Sequence, residues 1–187
     1  MKNNNVLPIV QGAMIVSIYG VLGIFNTYTG SIFDIFISYI MLLPMMWYAY
    51  EYPLKYSFSL FISSAVVVFM SSQILFWIFS IPTLLLGISY GVLSKQKRQN
   101  IFILLVIVSA IKNSISFFIF GGLMGVSVYA EGREIYEYII SILPFLGNVI
   151  SVQVSFLSLW LLIFICEAYC VFNYGNILLQ RVIKKKR

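Results

Sequence analysis

The chain contains no histidine. That absence excludes histidine-ligated metal sites, imidazole general bases and Ser-His nucleophilic catalysis. Cysteine is nearly as scarce: Cys166 and Cys170 are the only two, four residues apart in an apolar run. Two thiols at that spacing on one helix do not favour a disulfide and make no persuasive metal site, so both read as small hydrophobes. Charged residues make up 10% of the 187 positions, against roughly 25% in soluble domains. No Gly-rich phosphate loop is present, no carboxylates are paired at useful spacing in the apolar segments, and no Ser or Cys has a base partner. The expectation is a chain that is not an enzyme and uses no cofactor and no metal.

Hydrocarbon is what the sequence has in excess. Hydrophobic residues account for 61% of it, too many for a water-facing surface, so lipid is its solvent. The expected fold is an all-α integral membrane protein in a single domain covering 1–187. Its net charge of +6 is gathered at the N-terminus, a few short loops and the C-terminal tail. No basic face or aromatic-basic module lies outside the apolar runs, so the charge points to membrane orientation and anionic lipid rather than to nucleic acid.

A membrane helix needs about 20 apolar residues. The first run, 6–26, continues past the length of a signal-peptide core with no small-residue cleavage site, so it is expected to be a retained span. The second, 31–50, ends at Glu51-Tyr52-Pro53-Leu54-Lys55, where Pro53 stops a helix. The stretch 56–93 would be roughly 57 Å long as one helix, nearly twice the hydrocarbon thickness. It must fold back, and the polar triplet Ser71-Ser72-Gln73 is the natural hairpin, giving spans at 56–71 and 74–93. A basic loop at 94–100 precedes a span at 101–124. Pro144 and Gly147-Asn148 interrupt the remainder, which reads as a partly interfacial helix at 135–147 and a long span at 150–180. Six spans with both termini cytoplasmic put Lys2, Lys55, Lys95, Lys97, Arg98, Arg181 and Lys184 to Arg187 inside and only Arg133 outside. That is a strong positive-inside bias. No internal repeat supports an inverted-repeat transporter.

Lys112 and Glu167 are the two ionisable residues deep within predicted spans. A charge at mid-bilayer costs about 2.5–3.5 kcal/mol on insertion scales, so each needs protein or water around it and a partner. Lys112 lies roughly 16 Å, and Glu167 roughly 21 Å, from the inner ends of their spans at helical rise, close enough to pair. Such a pair is either purely architectural or the polar anchor of a ligand pocket. Asn113, Asn148 and Gln153 are the candidate amides beside it, expected to point inward because an unpaired amide facing lipid is costly. Together Lys112, Asn113, Glu167, Asn148 and Gln153 form the candidate ligand site, with Lys112 suited to an anionic or carbonyl group and the amides to fixing orientation. Small residues form close-packing stripes: Gly12, Ala13, Ser17 and Gly20 in the first span, and Gly87-x-x-x-Gly91 in the fourth. Packing within the bundle and docking of another membrane protein are both open to the first of these.

The segment Gln11-Gly12-Ala13-Met14-Ile15-Val16-Ser17-Ile18-Tyr19-Gly20-Val21-Leu22 resembles the opening of a family of bacterial six-span membrane proteins. That family is itself similar to the S components, the substrate-binding subunits of energy-coupling factor (ECF) vitamin transporters. Pro44, the short charged loop after it and the basic loop Lys95 to Arg98 fit the same outline. The resemblance implies an S-component-like bundle that captures a small nutrient, a vitamin or precursor, near the outer face. It implies docking, largely through the first span, on a transmembrane coupling protein driven by two ATPase subunits. The family usually carries Ala-x-x-x-Ala there; the matching positions here are Ala13 and Ser17. The alternative class is a non-transport membrane scaffold or regulatory subunit acting through helix–helix contacts.

Overall fold

The computed structural model describes residues 6–96, 100–124, 128–142 and 151–186. Every element in it is a helix: α1 Val6–Tyr28, α2 Asp34–Glu51, α3 Leu54–Ser71, α4 Ile74–Lys95, α5 Ile101–Met124, α6 Val128–Ile142 and α7 Val152–Lys186. Five of them, α1, α3, α4, α5 and α7, are long and apolar enough to cross a membrane. α2 is set apart by a carboxylate at each end and a tyrosine- and tryptophan-rich second half. Pro53 N-caps α3, and the chain turns between α3 and α4 at Ser72 and Gln73, where the polar triplet stands. α6 begins seven residues before the expected 135, and the expected end of that helix lies outside the described residues.

Packing sorts the helices by side-chain size. α2 makes its most extensive contacts with α4, and α1 with α3. Gly87 and Gly91 allow the first of these: a Cβ on Gly87 would lie 3.1 Å from the Leu42 carbonyl oxygen, and one on Gly91 2.5 Å from that of Met46. A larger residue would force the two backbones apart. Ile15, Tyr19, Met41, Met45, Leu60 and Val68 join α1, α2 and α3 in one core cluster. Leu42, Met46, Tyr90, Leu105, Ala168 and Val171 carry a second core from α2 and α4 across to α5 and α7.

The basic helix ends gather at one end of the bundle. Lys95, closing α4, donates hydrogen bonds to the backbone oxygens of Glu51 and Tyr52 at 3.3 and 3.2 Å, next to Lys55 at the start of α3. Tyr90 donates to Asn176 Oδ1 at 2.9 Å, drawing the basic end of α7 to the same level. At the opposite end, the α1–α2 turn places Gly30 and Ser31 at φ +69° and +63°. Ser31 then donates to Gln73 Oε1 at 3.0 Å, tying that turn to the α3–α4 turn.

Candidate functional site

α5 is apolar except for Ser114 and one polar stripe. Ser109, Lys112, Asn113 and Ser116 recur at helical spacing and share a face. Facing them is Glu167 of α7, and the two helices meet in the ion pair Lys112–Glu167. Both residues are buried, with 9% and 8% of their surface exposed. The Glu167 carboxylate accepts from Lys112 and Tyr39 at Oε1 and from Ser109 and Asn113 at Oε2. Four donors fill the acceptor positions of a carboxylate, which is why it tolerates burial among apolar helices.

Tyr39 of α2 completes the cluster. Its hydroxyl donates to Glu167 and accepts from Lys112 Nζ at 3.3 Å, while Nζ lies 5.2 Å from the centre of its ring. Asn113 is held in place by a further donation to the Ser109 carbonyl oxygen at 2.9 Å. One helical turn beyond Lys112, Ser116 is buried with no partner for its hydroxyl among the described residues. Three helices therefore converge on one polar point at corresponding depths: Tyr39 stands twelve residues from the basic-end terminus of α2, roughly 18 Å.

Two grooves flank the cluster. One of 620 Å³ lies between α2 and α7, with Tyr39 and Glu167 in its lining. Another of 310 Å³ lies between α4 and α5 and reaches Lys112. Glu167 of the ion pair lines the first and Lys112 the second. Away from the basic end, Phe117 of α5 meets Phe156 and Trp160 of α7 with ring centroids 6.3 and 5.4 Å apart, closing the α5–α7 seam with aromatic contacts.

Of the five ligand-site residues expected from sequence, Lys112, Asn113 and Glu167 come together. Gln153 does not: it is exposed in the first turn of α7, roughly 21 Å along the helix from Glu167. At a helix end its amide needs no inward partner, so the expectation that it points into the bundle is corrected. Asn148 lies outside the described residues. Tyr39 and Ser109 are the members that sequence reasoning missed. Ser109 stands three residues before Lys112 on the same stripe and was legible there, whereas Tyr39 is joined to the cluster only by the packing of α2 against α5 and α7.

The small residues of α1 divide between two uses. Gly12 and Gly20 pack inside the bundle, where added Cβ atoms would lie 3.2 Å from the Tyr48 hydroxyl and 3.0 Å from Val67. Ala13 and Ser17 are exposed, and line a 390 Å³ groove shared with Ser59 and Ser63 of α3. Among the described residues no group of His, Cys, Asp and Glu is placed to hold a metal ion. No protein-family model, no curated protein and no solved structure matches the chain.

Proposed function

We propose that this chain is the substrate-capturing membrane subunit of an ECF-type importer for a small nutrient, with no enzymatic chemistry of its own. The observation that carries the reading is the polar cluster of Tyr39, Ser109, Lys112, Asn113 and Glu167 beside the 620 Å³ groove. A few convergent polar groups against apolar walls are what small-molecule sites present. The resemblance of Gln11 to Leu22 to the S-component-like family supplies the importer. Ala13 and Ser17, exposed on α1, are the residues offered to a transmembrane coupling protein.

On this reading α2 joins the five apolar helices as a sixth crossing. Its 18 residues span about 27 Å, close to the hydrocarbon thickness. Both termini then lie in the cytoplasm of a cell-membrane protein, and α6 lies at the outer interface.

The saturation of Glu167 by four donors favours a second reading, a membrane scaffold or regulatory subunit in which the cluster only holds helices together. Affinity purification from native membranes, with mass spectrometry of bound proteins and small molecules, separates the two. Copurification of a coupling protein with two ATPases and a bound small molecule supports capture for import. Recovery of neither supports the scaffold.

A further inference from the structure

The groove between α2 and α7 limits what can occupy it in three ways. Its volume, 620 Å³, falls within the roughly 300–1,000 Å³ of small-molecule sites. Its walls are hydrocarbon, with Ile40, Leu43, Leu162 and Ile163 along the sides and Tyr174 at one end. Along α7 it runs from Leu162 to Tyr174, about 18 Å at helical rise. Phe36 and Leu162, 70% and 58% exposed, stand at its edge, so it opens sideways from the bundle. The occupant is therefore an elongated apolar body entering from the bilayer.

Charge is the second limit. Lys112 and Glu167 already neutralise one another. A ligand with a net charge would leave an uncompensated charge buried at this depth, a strongly unfavourable state.

The third limit is set by Tyr39. Ser109, Lys112 and Asn113 reach Glu167 from α5, whereas Tyr39 reaches it from the groove wall with 36% of its surface exposed. Its hydroxyl fills one donor and one acceptor role, toward Glu167 and from Lys112. An ammonium could take the first role only, and an ether or carboxylate the second only; a hydroxyl takes both.

We infer that this groove binds an uncharged, hydroxyl-bearing amphiphile whose hydroxyl replaces that of Tyr39 between Glu167 and Lys112, with its apolar body lying along α7. The inference rests on the capture reading above and names the chemical class of the solute captured.

The test uses the full chain in nanodiscs of zwitterionic lipid, with radiolabelled 4-octylphenol, its methyl ether and 4-octylbenzoate as probes and empty nanodiscs as background. The phenol is expected to bind at least about tenfold more tightly than the ether or the benzoate, since the hydrogen bonds it gains are to charged groups. Tyr39→Phe, which keeps the ring and removes the competing hydroxyl, is expected to tighten phenol binding about tenfold and ether binding by less, since the ether can only accept from Lys112. Glu167→Gln is expected to weaken phenol binding by a similar factor. Equal retention of phenol and ether, as for a site that takes any acyl chain, overturns the inference. So does unchanged phenol affinity in Tyr39→Phe, a variant that keeps the charged pair intact should Glu167→Gln fail to fold. If ATPases copurify but phenol and ether bind alike, the solute class falls and the importer stands. If the phenol binds selectively and no ATPase copurifies, the importer falls and the site stands.

Discussion

A carboxylate can remain among apolar helices when every acceptor position on it is filled. Glu167 meets that condition through Tyr39, Ser109, Lys112 and Asn113. Removing one charge of such a pair leaves the other uncompensated, whereas removing both relieves two desolvation costs at once. Lys112→Met is therefore expected to destabilise the fold by about 3–5 kcal/mol. The double variant Lys112→Met/Glu167→Met is expected to recover most of that loss, as read by thermal unfolding in detergent. A double variant as unstable as the single one would show that the charges are not coupled. Much of this cluster was legible in the chain, because a polar stripe on an apolar helix stands out at helical spacing. Tyr39 was not legible: its role depends on which helix lies opposite, and nothing within its own segment names that helix.

Among the helices, α2 shows how burial and hydropathy separate. It has a carboxylate at each end and an internal proline, yet Met41, Met45, Met46 and Tyr48 are almost wholly buried. Its place in the middle follows from what it packs against, above all the glycine face of α4. Gly91→Ala would put a methyl group 2.5 Å from the Met46 carbonyl oxygen and 2.9 Å from the Tyr50 nitrogen, both fixed backbone atoms. The expected cost is about 1–3 kcal/mol, seen as a lower midpoint of thermal unfolding. An alanine at Gly122, where no atom of the described residues lies within 4 Å, is the matched control and is expected to leave the midpoint unchanged or slightly raised. The glycine spacing in α4 was readable beforehand. Its partner was not, since α1 and α5 also carry small residues and only the assembled bundle pairs α4 with α2.

For the whole molecule the governing asymmetry is charge. Lys55, Lys95 and the basic end of α7 stand at one end of the bundle, and Arg133 on α6 lies beyond the other. Six crossings with this end in the cytoplasm require that Arg133→Cys, in intact cells, react with a membrane-impermeant maleimide. Lys55→Cys should react only after permeabilisation. Labelling of Lys55→Cys from outside would reverse the orientation. α6 suits the outer interface: Arg133 bonds Glu137 at 2.8 Å on a polar side, while Ile135, Tyr138 and Ile142 are exposed on another. Gly132 lies close against Phe156, so this helix rests on the α7 end of the aromatic seam.

The class of the protein and the depth of its buried charges were already contained in the chain. Hydrocarbon content decides the solvent, the segment length set by a bilayer divides the runs into helices, and the position of Lys112 and Glu167 along them follows by counting. These are properties of single segments. Which helices touch was another matter, since lipid-facing and protein-facing sides of an apolar helix have nearly the same composition. That choice came from backbone approach at Gly87 and Gly91, and it brought Tyr39 to the charged pair. It also opened the groove between α2 and α7, left Gln153 outside the cluster, and buried Gly12 while leaving Ala13 and Ser17 exposed. Contacts between segments distant in sequence depend on shape complementarity, which no periodicity within one segment encodes.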